Sequence, residues 1–157
     1  MNYQRLLEIS DDWLKYAIRL NLGQEPKDDL VEIRNAALAD RRIKRYLSDI
    51  SHFHETLVTN HKNPDLPIQK LLFLLDLGFD TEIPEIKVAI DEILQHREEH
   101  GVYQSMTNVP KHYGGTAEDV FSWCLCDAPL LLLALLKAGM DYHECIKSGV
   151  DYLVSLC

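Results

Sequence analysis

Positive charge is scarce in this sequence: 16 Lys and Arg stand against 25 Asp and Glu, a formal net charge of −9. A phosphate backbone is held by a concentrated positive face, so no nucleic-acid partner is expected. The one basic cluster, Arg41-Arg-Ile-Lys-Arg45, reads as a solvated helix face. Long apolar runs are missing as well. The longest, Ala128 to Leu136, has nine residues, where a transmembrane segment takes about 20. No early apolar core is present, so no signal peptide is expected. Cysteine is limited to positions 124, 126, 145 and 157, which is no disulfide framework in a helical chain, and free thiols in a reducing cytoplasm are expected. Nothing in the pattern asks for a β-strand. What is there, 157 residues with 46% hydrophobic and 26% charged, suits one domain able to bury a core.

The run that organises the chain is Asp127-Ala-Pro-Leu-Leu-Leu-Leu-Ala-Leu-Leu-Lys-Ala-Gly139. It is apolar on every face, which predicts a helix buried all round. Asp127 is placed to cap it, Pro129 suits its first turn and Gly139 its left-handed end. His143 to Cys157 then has the pattern of an amphipathic helix with Ile146, Val150, Leu153 and Val154 inward, which makes an αα-hairpin. The hairpin occurs twice. Asp65-Leu-Pro to Gly78 repeats the first helix at an offset of 139 − 78 = 61, and Ile86-Lys to Leu94 repeats the second at 146 − 86 = 60. Such self-similarity marks stacked helical repeats, so the expected fold is all-α, a partial α/α toroid or short superhelix. Residues 1–60 read as capping helices over about 11–22, 28–38 and 40–59, the last carrying a stripe of Ile43, Leu47, Ile50, His54 and Leu57. Asn60-His-Lys-Asn-Pro-Asp65 is a turn-rich break. Residues 65–100 and 127–157 are the matched hairpins, and 101–126 is a long inter-repeat loop in which Thr116 to Asp119 has the form of a capping box. The residues expected to be most buried are Leu71, Leu74, Leu75, Leu132, Leu135 and Leu136.

Four groups of residues have the types that chemistry uses. His96-Arg-Glu-Glu-His100 has the spacing of an inverted zinc-peptidase motif, which on a helix sets two His ligands one turn apart; at the end of a helix it reads instead as a solvated terminus. Asp28-Asp-Leu-Val-Glu32 looks like a magnesium–diphosphate motif without its facing partner, and acids suit a first helical turn. Cys124 and Cys126 are zinc-competent but lack the spacing of a knuckle or finger, so these two and His96 and His100 are the weak metal candidates, and no cofactor is expected. His54 reads as a hydrogen-bonded stripe residue. The remaining set, Tyr103, His112, Tyr113 and Trp123 with Asp127, is better as a ligand pocket than as a catalyst, because aromatic walls with few polar groups suit an apolar ligand.

The apolar inner helix ending in Gly, the outer Ile-Lys-x-small-x-Asp helix and Gln95-His-Arg-Glu-Glu-His-Gly101-Val-Tyr103 resemble the prenyltransferase and squalene-cyclase repeat superfamily over residues 65 to 157. The resemblance implies an α/α toroid of alternating inner and outer helices. The cyclases' Asp-x-Asp-Asp motif and the prenyltransferases' zinc set of Asp-x-Cys with a distant His are both absent, and about three helix pairs stand where a full ring takes about six. The expected function is a non-catalytic binding module for an apolar small molecule or protein; the alternative is a fragment of an isoprenoid cyclase or transferase. The chain reads as part of a longer array or as a half-ring that completes itself as a homo-oligomer.

Overall fold

Proline at the start of a helix and glycine after its end set the limits of both matched hairpins. In the computed structural model, which describes residues 3–58 and 63–157, the first hairpin is α5 (Pro67–Asp76) and α6 (Pro84–Gln95), and the second is α7 (Ala128–Lys137) and α8 (Lys147–Ser155). Before them lie α1 (Tyr3–Ile9), α2 (Asp12–Asn21), α3 (Val31–Ala39) and α4 (Arg41–Ile50). The chain is mainly helical, as expected, but it also has a two-stranded antiparallel sheet, β1 (Ser105–Thr107) with β2 (Val120–Ser122), where no strand was expected. Three-residue strands leave too short an alternation to read.

α5 and α7 end alike. Gly78 and Gly139 adopt φ of +94° and +79°. Gly78 N–H donates to the Leu75 carbonyl and Phe79 N–H to Leu74, as Gly139 N–H does to Leu136 and Met140 N–H to Leu135. These left-handed C-caps satisfy the last carbonyls of each helix at the same offset of 61 residues. The starts differ from expectation: the Asp127 side chain makes no cap, although its carbonyl accepts from Leu130 and Leu131.

α4, α5 and α7 pack in a row, with α6 against α4 and α7. On α5 the flank toward α4 carries Lys70 and Phe73. Lys70 Nζ is 2.7 Å from Asp49 Oδ2 and lies over the Tyr46 ring, which also meets Phe73 edge-on. Leu72 and Leu75 lie roughly half a turn away around the helix, on the α7 side, and are 8% and 7% exposed. The N-terminal helices close the hairpin's other end: Trp13 meets Phe73, Tyr16 stacks on Phe79, and the Tyr16 hydroxyl donates to the Gly78 carbonyl.

Several expectations need correction. The 40–59 helix stops at Ile50 and gives way to a 3-10 turn at Phe53–Glu55, so His54 leaves the stripe; Thr59 and residues 60–62 lie outside the described residues. The first helix of all, α1, was not anticipated, and 28–38 is a 3-10 turn followed by α3. Thr116 to Asp119 caps no helix: Asp119 Oδ1 accepts from Asn108 Nδ2 across the β-hairpin. α7 is not buried all round. Leu131, Leu132, Ala134 and Leu135 are buried, but Leu133 is 39% and Leu136 51% exposed, because nothing among the described residues stacks on that flank.

Candidate functional site

Residues 101–126 form an arm built on the β-hairpin. Ser105 pairs with Ser122 and Thr107 with Val120, and Val58 N–H donates to the Met106 carbonyl, which ties the arm to the end of the N-terminal helices. Tyr103 is its anchor rather than a ligand contact: the ring is buried and its hydroxyl donates to the Cys145 carbonyl at 2.8 Å. Burial pushes that phenol's pKa up. Beyond β1, a cavity of about 500 Å3 opens between the hairpin and Val58, with Val109, Pro110, Tyr113, Trp123 and Cys124 in its wall. The structure therefore brings Tyr113 and Trp123 together. His112 stands beside Tyr113 in the solvent-exposed turn, whereas Tyr103 and the buried Asp127 line other parts of the molecule. Cys124 is half-buried and its thiol is pushed up to about 11, chiefly by burial, so it stays protonated at neutral pH.

The metal candidates separate. α6 ends at Gln95, so His96 and His100 do not share a helix face. His96 stacks on Phe121 and meets His54, while His100 stacks on Tyr152 of α8. Among the described residues, Cys126 and Cys124 join no group of three ligands. The group of that size among the described residues is Glu98, Glu99 and His100 of one turn, in which Glu99 and His100 are exposed and Glu98 is half-buried and paired with His100. His54 is hydrogen-bonded as expected, though off the helical stripe: its ring nitrogen is 2.9 Å from the Glu92 carbonyl, and burial lowers its pKa. Asp28, Asp29 and Glu32 are exposed on a helix start, and two residues of the basic cluster are ion-paired, Arg42 to Asp11 and Asp40 and Arg45 to Asp49.

A more apolar surface lies elsewhere. Between α7 and α8 runs an open groove of about 440 Å3, lined by Leu132, Leu133, Leu136, Val150, Leu153 and Val154, with Tyr142, Leu125 and Cys157 among the residues at its edges. Ile146 is inward as expected, but Val154 is 68% exposed. Among the described residues no charged side chain lines the groove; Tyr142 and Cys157 are its polar members, and the Lys147–Asp151 ion pair is not part of the lining. An open apolar face of this kind usually marks a binding surface. The sequence suggests an uncovered flank on the final hairpin but places no site residues there, because α7 is apolar on every face and is expected to be buried all round. The signal that finds it is the repeat itself. Leu133 and Leu136 correspond at offset 61 to Leu72 and Leu75, and Val150 and Leu153 at offset 60 to Ile90 and Ile93, all four of which are buried. Comparison of the chain with family models, curated proteins and solved structures finds no match.

Proposed function

We propose that this chain is a non-catalytic helical-repeat module that works by binding an apolar partner in the groove between α7 and α8. The relationship to the prenyltransferase and squalene-cyclase repeats, and the arrangement of the hairpins as part of a ring, belong to the same proposal. They are supported by the two hairpins with matched caps and by the row of first helices. The observation that carries the reading is the groove's lining: apolar residues on two adjacent helices, left open, with no acid, base or metal set facing them. Walls of that kind supply burial energy without directing a reaction. The aromatic cavity beside β1 is smaller in apolar extent and is bounded by polar Thr107, Asn108 and Ser122, so the groove is the better surface for an apolar partner.

The test is titration of the neutral apolar dye Nile red at submicromolar protein. Saturable binding is expected, weakened at least about tenfold by Leu136→Glu, because a carboxylate placed in an apolar wall is poorly paired. Binding that is indifferent to Leu136→Glu would overturn the assignment of the groove.

A further inference from the structure

The cavity beside β1 has a chemistry of its own, independent of the groove. It lies against a strip of three paired segments, in which β1 pairs with β2 and makes a parallel bridge from Thr107 to Val58. The register pairs Thr107 with Val120 and Ser105 with Ser122, so the side chains at 107 and 122 share one face of that strip. Val109, Pro110 and Tyr113 of the following turn, with Trp123 after β2, complete the wall. The turn is tied to itself: Tyr113 N–H donates to the Pro110 carbonyl and Ala117 N–H to that of Val109. A Cβ at Gly115 would come within 2.0 Å of the Val109 carbonyl oxygen, so a glycine lets the turn fold back this closely.

Size, charge and the placement of protons define what this wall can recognise. About 500 Å3 is within the range that holds a small organic molecule, and the rings of Tyr113 and Trp123 suit a flat aromatic body. Among the described residues no charged side chain lines the cavity, and burial keeps the Cys124 thiol neutral, so an ionised ligand would find no counter-charge there. The protons follow from the hydroxyl contacts. Thr107 spends its one hydroxyl proton on the Val120 carbonyl at 3.3 Å, so the 2.5 Å contact between Thr107 Oγ1 and Ser122 Oγ takes its proton from Ser122. Ser122 Oγ is then left with lone pairs and no proton to give. Asn108 spends one N–H on Asp119 Oδ1 at 2.7 Å and keeps its side-chain oxygen as a further acceptor beside its second N–H.

We propose that this cavity binds a neutral aromatic small molecule that donates a hydrogen bond, a phenol or indole in character, with its ring against Trp123 and Tyr113 and its O–H or N–H on Ser122 Oγ. An arene without a donor would leave the serine oxygen unpaired beneath it. A carboxylate would bring acceptors to acceptors and a charge to a wall without one.

The test is a fluorescence titration of the full chain with three probes that share one ring system: neutral 2-naphthol, 2-methoxynaphthalene, which lacks the donor, and the anion 2-naphthoate. One 2-naphthol per chain is expected. 2-Methoxynaphthalene should bind at least about threefold more weakly, the loss of one hydrogen bond, and 2-naphthoate at least about tenfold more weakly. Ser122→Ala should bring 2-naphthol down to the affinity of 2-methoxynaphthalene and leave the latter unchanged, a pattern that general loosening of the arm would not produce. Trp123→Leu should weaken both neutral probes, and Leu136→Glu, in the α7–α8 groove, should weaken neither. Circular dichroism checks that the variants fold, and the ranking of the three probes on the unaltered chain depends on no variant. Absence of saturable 2-naphthol binding, equal binding of 2-naphthol and 2-methoxynaphthalene, or binding indifferent to both Ser122→Ala and Trp123→Leu would each overturn the proposal. Binding abolished by Leu136→Glu would overturn it as well, by moving the probe to the groove.

Discussion

Two leucines at the same position of the repeat give the sharpest test of the packing. Leu75 of α5 and Leu136 of α7 are related by the offset of 61, each the third residue before its capping glycine. Replacing either by Ala alters helix propensity equally and little, so any difference in cost comes from what surrounds the side chain. Leu75 is 7% exposed with α7 on its flank, and Leu75→Ala should cost about 2–5 kcal/mol, the sum of lost transfer energy and the cavity left behind. Leu136 is 51% exposed. Its substitution leaves no closed cavity and forfeits part of the roughly 1.5–3 kcal/mol that full burial of such a side chain represents, so Leu136→Ala should cost about 1 kcal/mol or less. The assay is urea unfolding followed by circular dichroism at submicromolar protein, with the m-value as the check that both variants unfold from the same native state. Equal costs would show that α7's outer flank is covered within one chain, and the reading of the groove would fail.

Leu135 is fully buried, so Leu135→Ala should cost about 2–5 kcal/mol in the same assay, and a loss below about 0.5 kcal/mol would place that face of α7 at the surface. Gly149 sits where a Cβ would come within 2.5 Å of the Gly101 carbonyl oxygen and 3.0 Å of Leu132; Gly149→Ala should destabilise by about 1–3 kcal/mol through overpacking, and a neutral change would mean that α8 does not hold this close approach. His54 has its pKa lowered from 6.5, first by burial, so the unfolded chain binds the extra proton first as pH falls below 6.5. Stability should therefore be full above that value and decline as pH drops toward the folded pKa; the decline should be smaller in His54→Gln when urea midpoints are compared across pH 7 to 5, and an unchanged slope would remove His54 as its source. Cys124, pushed up to about 11, has roughly one thiol in a thousand ionised at pH 8, so iodoacetamide followed by mass spectrometry should label exposed Cys126 and Cys157 well before it, the reverse order counting against a buried Cys124.

Much of the fold was legible because its punctuation is chemical. Gly78 and Gly139 are the residues that tolerate a left-handed C-cap, Pro67 and Pro129 suit a first turn, and the spacing between the copies predicted hairpins that close with the same hydrogen bonds. The stripe of Ile43, Leu47 and Ile50 was legible for the same kind of reason, since its period of alternating three and four residues is that of a helix face. What was not legible depends on contacts between distant segments. Leu136 is as apolar as Leu135, and only the absence of a neighbour on one flank separates a residue that is half-exposed from one that is fully buried. His96 and His100 fit a metal spacing on paper, but α6 unwinds at Gln95 and each ring finds a separate aromatic partner. Tyr113 and Trp123 do share a cavity, while Tyr103, two residues before β1, is drawn inward by the Cys145 carbonyl.

The α7–α8 face is proposed to bind an apolar partner, and amide hydrogen exchange, read peptide by peptide with and without saturating Nile red, tests this most directly. Covering the face should slow exchange across 131–137 and 150–155 while 67–76 and 84–95 exchange as before. Equal protection of α7 and α8 with and without the dye would contradict it.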